Sequence, residues 1–127
     1  MKTISKLKKE LWKLVSQYVR KTSAIDGLVQ CYTCEAVDSY KNMDLGHFWG
    51  RHYGSTYFDV KRNLRIQCRY CNRFLEGNKY KFGVRLKREL GDKEFEKLEI
   101  DAKSKYKFDR FHLEEQIKIY KQKLRGK

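Results

Sequence analysis

Residues 63–72 read NLRIQCRYCN. Their apolar positions alternate as a short strand requires, and the strand runs into a C-x-x-C pair, Cys68 and Cys71. That spacing lets two thiolates reach one ion from a single turn. Asn63 stands five residues before the first cysteine, and Asn72 directly follows the second. A two-cysteine knuckle needs a partner elsewhere in the chain, and the two asparagines need an explanation of their own.

The partner lies in VQCYTC, where Cys31 and Cys34 repeat the spacing; the chain has 4 cysteines in all. Two such knuckles close a tetrahedron, which predicts a structural Zn²⁺ on Cys31, Cys34, Cys68 and Cys71. The competing readings are weaker: disulfides need an oxidising compartment, and a redox dithiol needs only one pair. The N-terminal run MKTISKLKKELWKLV breaks its apolar residues with charges, unlike an export signal. The expectation is therefore a cytoplasmic protein with reduced thiols. Four protein ligands leave the zinc no open position for chemistry.

The chain has 127 residues, a length suited to one domain with a modest core. Its 30 Lys+Arg against 16 Asp+Glu give a formal charge of +14. So large an excess predicts a polyanionic partner, and nucleic acid is the usual one because neutralised phosphates release counterions. A membrane surface or a ribosome-associated role would suit the same charge. Nine Tyr, 7 Phe and 2 Trp among the basic residues favour contact with sugars and bases. No apolar run is long enough to span a membrane, so no membrane partner is expected.

In residues 4–20, Ile4, Leu7, Leu11, Leu14 and Tyr18 recur at three- and four-residue steps, the stripe of an amphipathic helix. From Leu28 the pattern becomes β-like through VQCYTC, HFWGRHYGSTYFDV and NLRIQC. After Cys71 the helical period returns with Phe74 and Leu75, breaks at Gly77-Asn78, and resumes through Phe82, Leu86 and Leu90 to a cap at Gly91. A short helix over 93–105 and a last one capped by Asp109 and carrying Leu113, Ile117, Tyr120 and Leu124 complete the chain. The fold class is α+β. One domain, 1–127, divides into a basic amphipathic helix (1–27), a four-cysteine zinc module (28–91) and C-terminal helices (92–127).

The two knuckles bracket an insert, residues 35–67, containing MDLGHFWGRHYG. His47 is read as a ligand, a core histidine or a surface one; four cysteines already satisfy the zinc, and Asp44 stands three residues before it. His47 precedes Asn63 by sixteen residues, and Asn63 precedes Asn72 by nine. This spacing resembles the HNH, or ββα-metal, nuclease motif, with asparagine in place of the final histidine. The order CYTC, DLGHF, NLRIQCRYCNRFLEGN and charged terminal helices is similar to the phage NinG/Rap recombination endonucleases over most of residues 5–125. The asparagine after the last cysteine is also shared with the recombination endonuclease VII family.

The resemblance implies a zinc-stapled ββα-metal module and a metal-dependent endonuclease acting on Holliday junctions and other branched DNA. It implies that His47 is the general base and that Asn63 ties the hairpin loop. Asn72 would bind a catalytic Mg²⁺ or Mn²⁺, a hard ion suited to amide and carboxylate oxygens. Two paired nicks across a junction imply a homodimer, and a phage origin would put the protein in the host cytoplasm. One departure stands out. Many HNH enzymes place a metal-binding carboxylate directly before the histidine, where this chain has Gly46. Asp44 is taken as the second ligand, with His52 or Asp59 as substitutes.

Arg51, Arg62, Arg65, Arg69 and Arg73 cluster in sequence around these positions and are expected to meet phosphates. His52 and Asn78 are candidate further members, with ordering of the Gly77 break as the plain reading of Asn78. Asn72 as a helix cap, Asn63 as a turn residue and His112 as a surface residue are the plain readings. The apolar stripes of the terminal helices are core or dimer interface. A general HNH nicking enzyme and a non-catalytic zinc-knuckle nucleic-acid binder remain as alternatives.

Overall fold

The computed structural model describes residues 1–126; Lys127, the last residue of the expected C-terminal segment, lies outside the described residues. Among the described residues, five α-helices and two small antiparallel sheets make the fold α+β. Helix α1 spans Ile4–Ser23 and starts where the Thr3 hydroxyl accepts the Lys6 N–H at 3.2 Å. Its buried stripe is Leu7, Leu11 and Val15. That stripe meets Leu113 and Ile117 of the last helix, α5 (Arg110–Arg125), together with Leu45 and Leu64. Each of these leucines contributes roughly 1.5–3 kcal/mol by leaving water. The terminal stripes, read from sequence as core or dimer interface, are thus core: the two helices cover each other. No described helix is long and apolar enough to cross a membrane.

Strands β1 (Leu28–Gln30) and β2 (Val37–Ser39) form a hairpin whose tip carries Cys31 and Cys34. Strands β3 (Met43–His47) and β4 (Leu64–Cys68) form the second sheet, registered from Met43↔Cys68 to His47↔Leu64. Both cysteine pairs thereby meet at one end of this sheet, beside Val29 and Met43. A third cluster buries Phe82, Leu86 and Leu98 from α3 (Lys79–Leu90) and α4 (Asp92–Ala102), with Tyr32, Phe48 and Phe95 against it. The short helix expected over 93–105 is α4, one residue earlier at its start and ending sooner.

Two local expectations are corrected. The stretch HFWGRHYGSTYFDV is not β beyond His47: it folds as turns, a 3₁₀ turn at Gly54–Thr56 and the one-turn helix α2 (Val60–Asn63). Asp59 caps α2 by accepting the Arg62 N–H at 3.2 Å, and Asn63 supplies the loop's missing backbone partners. The helical period after Cys71 is likewise interrupted earlier. Tyr70–Phe74 is a π-type turn, and Phe74 and Leu75 are exposed, not core. Glu76, Gly77 and Asn78 then all take positive φ (52°, 93° and 49°), so the chain turns sharply before α3 begins.

Candidate functional site

The four cysteine sulfurs lie within 4.8 Å of one another. Cys34 and Cys68 sulfurs are 3.7 Å apart. A tetrahedron with Zn–S bonds near 2.3 Å has edges of roughly 3.8 Å, whereas a disulfide would need about 2.05 Å. The cluster can therefore hold a structural metal such as zinc. Donors surround it: Cys71 N–H reaches Cys68 Sγ at 3.4 Å, and Asn78 Nδ2 reaches Cys71 Sγ at 3.6 Å. Burial opposes ionisation of Cys31, but hydrogen bonds from Thr33 and nearby backbone amides outweigh it and bring the thiol down to about 6.

One turn beyond the cluster opens a cleft of about 710 Å³. Asp44 and His47 reach it from β3, Asn72 and Arg73 from the π-type turn, and Trp12 and Arg20 from α1. Six basic residues line it, namely Arg20, Lys41, Arg51, Arg69, Arg73 and Lys79, against two acidic ones, Asp44 and Glu76. This concentrates part of the chain's positive charge where an anion has room to enter.

Asp44 sits at the floor of the cleft in a ring of donors. Arg73 Nε and Nη2 hold its two oxygens at 2.9 and 3.1 Å, and Asn72 Nδ2 donates to Oδ2 at 3.0 Å. Arg69 stands 3.9 Å away. The amide of Asn72 is thus oriented by its nitrogen, and the residue lies inside the π-type turn, where it caps nothing.

His47 ends β3 in a mostly apolar socket. Its ring stacks on Trp12 with centroids 4.3 Å apart and planes inclined by 20°. Nε2 faces the Tyr57 carbonyl at 3.2 Å. A carbonyl only accepts, so Nε2 carries the hydrogen and Nδ1 keeps its lone pair. Burial drives the pKa down to about 4, with Lys79 and Arg51 pushing the same way against the Tyr57 bond. The imidazole is neutral at physiological pH.

Asn63 is fully buried and lies outside the cleft wall. Its Oδ1 accepts the Trp49 N–H at 2.8 Å, and its Nδ2 donates to the Trp49 and Thr56 carbonyls, both at 3.0 Å. These three bonds close the loop that follows His47. Of the arginines, Arg51, Arg69 and Arg73 line the cleft. Arg62 does not: it is paired with Asp59 at 2.8 Å, Asp101 at 2.9 Å and Glu94 at 3.3 Å. Arg65 pairs with Glu89 at 2.9 Å and donates to the Lys61 and Leu64 carbonyls. Both guanidiniums brace α2 and β4 against the following helices. Asp59 is held by Arg62 away from the cleft, His52 is exposed against Tyr53, and Asn78 contacts the sulfur cluster. His112 is exposed on α5.

Two cleft residues and one buried behind them carried no signal in the motif. Trp12 looks like one more apolar position of α1, and only the docking of α1, held by Arg20 on the Tyr40 and Met43 carbonyls, brings it over His47. Lys79 opens α3, and its ammonium turns back onto the His47 and Phe48 carbonyls. Gln67 reads as the solvent-facing position of an alternating strand, yet it is fully buried.

Fold and site together define a class: a small α+β protein stapled by a four-cysteine knuckle, with a basic cleft carrying a neutral histidine beside a carboxylate and an amide. The chain belongs to the bacteriophage lambda NinG protein family, whose model matches residues 1–127, the whole chain. Membership points to a role related to phage recombination. No curated protein and no solved structure matches it.

Proposed function

We propose that the protein is an HNH-type, metal-dependent endonuclease that cleaves Holliday junctions and other branched DNA in recombination. The observation that carries this reading is the convergence of His47, Asp44 and Asn72 on one cation-lined cleft. His47 accepts the proton of an attacking water on Nδ1, the nitrogen that the Tyr57 carbonyl leaves free. Asn63 holds the loop that carries Tyr57 and so keeps the ring's orientation. Arg51, Arg69 and Arg73 meet the phosphates.

Asp44 and Asn72 offer oxygens of the kind a hard cation binds, and the Asn72 Nδ2 bond to Asp44 Oδ2 at 3.0 Å already holds the two side chains side by side. Mg²⁺ or Mn²⁺ bound there would stabilise charge on the phosphate and on the leaving oxygen. Two paired nicks call for a homodimer, with an interface away from the buried faces of α1 and α5.

A second reading has one observation in its favour. Arg73 already neutralises Asp44, as it would in a zinc-knuckle protein that only binds nucleic acid. One assay separates the two: wild type and His47→Ala are given a four-way junction and a matched duplex with Mg²⁺, Mn²⁺ or EDTA. We expect metal-dependent cleavage, favouring the junction, that falls about 10²–10⁴-fold in His47→Ala while DNA affinity holds. Cleavage of both DNAs alike points to a general nicking enzyme. No metal-dependent cleavage by the wild type eliminates the enzyme.

A further inference from the structure

One buried group has no part in this chemistry. Gln67 on β4 is fully buried, and its Nε2 donates to Thr33 Oγ1 at 3.1 Å and to the Gly77 carbonyl at 2.8 Å. Because a carbonyl cannot donate, the Gly77 contact fixes which end of the carboxamide is nitrogen. The oxygen, Oε1, is turned away from both, and among the described residues it is a buried side-chain oxygen with no hydrogen-bond partner. Such an atom costs on the order of 1–3 kcal/mol unless something outside the chain satisfies it.

Its position says what that partner would be. Gln67 pairs directly with Asp44 across the sheet, and paired residues share a face. Gly46, two residues along β3, shares it too. Gly46 does not take positive φ, so no backbone conformation demands a glycine there. Space does. A Cβ on Gly46 would overlap Gln67 Oε1 and lie 3.0 Å from its Cδ and 3.1 Å from Asn72 Oδ1. The Gln67 carboxamide thus occupies the place of a residue-46 side chain, and its oxygen and that of Asn72 converge there. Asn72 is in turn bonded to Asp44. Two amide oxygens and a carboxylate, from three chain segments, make a donor set for a hard cation.

Resting on the endonuclease reading above, we propose that Gln67 Oε1 is a third protein donor to the cleft's divalent cation, supplied from β4 where β3 has only Gly46. The same side chain reaches the sulfur cluster, since Thr33 Oγ1 lies 3.5 Å from Cys31 Sγ. The sulfur cluster thereby helps fix the oxygen behind Gly46, next to Asn72 Oδ1.

The test is Mn²⁺ binding to the zinc-loaded full chain by calorimetry. Gln67→Met keeps the length and removes the oxygen; it should weaken Mn²⁺ about ten- to hundredfold at unchanged zinc content. Combining Gln67→Ala with Gly46→Asp, which returns an oxygen donor to β3, should restore much of the loss. A purely structural glutamine would show no such rescue. A measurement without substitution runs alongside: Mn²⁺-bound wild type carrying ¹³Cδ-labelled glutamine should show a carbon hyperfine coupling from one carboxamide. Unchanged affinity in folded Gln67→Met, or absence of that coupling, overturns the inference and leaves the endonuclease reading standing. A wild type that binds no Mn²⁺ and cleaves no DNA overturns both.

Discussion

Cys71 and Asn72 are neighbours in the chain, yet they belong to two unlike environments. Cys71 is buried among four sulfurs that satisfy one another's geometry, and nothing is left to add except the ion. Asn72 is half-buried on the wall of an open cleft, bonded to an aspartate that an arginine neutralises. The first site is complete within the protein and organises the strands on either side. On the proposed reading, the second is completed by what enters from solvent. One turn of chain would then divide holding the fold from meeting a ligand.

The largest expected effect lies on the sulfur side. Structural zinc in small domains contributes on the order of 10 kcal/mol, which matches or exceeds the whole stability of a domain this size. Removing it with a chelator, or replacing Cys71 by Ser, should therefore abolish cooperative folding. Circular dichroism followed against measured zinc content checks this. A chain that melts normally without zinc would break the comparison at its root.

Asn63→Ala comes next. It leaves the Trp49 N–H and two carbonyls without their buried partners, a cost of about 3 kcal/mol. Thermal or urea unfolding measures it, and zinc content should not change. A loss this large with the sulfur cluster intact would show that the cleft's loop has its own anchor.

What the sequence discloses follows from how local each signal is. The cysteine spacing, the strand at Leu64–Cys68 and the stripes of α1 and α5 are local signals, and the structure places them accordingly, although burial along β4 does not follow the alternation. The 48–62 stretch misleads because Phe, Trp and Tyr carry strand propensity, while Asn63 and Asp59 impose turns through side-chain bonds that no propensity describes. Motif spacing singles out Asp44, His47 and Asn72, which the cleft gathers. Arg62 and Arg65 match the charge pattern equally well but are taken by carboxylates far along the chain. Trp12 and Gln67 escape for a related reason: one depends on the docking of α1, and the other on β4 being covered on both faces.

His47 gives the next effect in size. Its folded pKa near 4 lies below the ordinary 6.5, so the native state prefers the neutral ring. Stability from this group is fully present above about pH 6.5 and is lost as pH falls toward 4, by at most about 3 kcal/mol. Urea titrations at several pH values should show that decline, and His47→Gln should flatten it. Trp12→Ala, which opens the socket to water, should raise the ring's pKa in a ¹H–¹⁵N titration.

The smallest effect bears most directly on the difference between the two sites. In the cleft Arg73 acts as a built-in cation: it holds both Asp44 oxygens, although its own side chain is 59% exposed. An exposed pair of this kind is worth about 1 kcal/mol or less, so a divalent ion can displace it. Arg73→Ala should accordingly tighten Mn²⁺ binding severalfold, because the competitor is gone, and at the same time weaken DNA binding and lower its salt dependence by about one phosphate contact. Opposite movements of the two affinities are the signature of a site where arginine and metal alternate on one carboxylate. If both affinities fall together, Arg73 is part of the site's framework, and the cleft is closer to the sulfur cluster than its openness suggests.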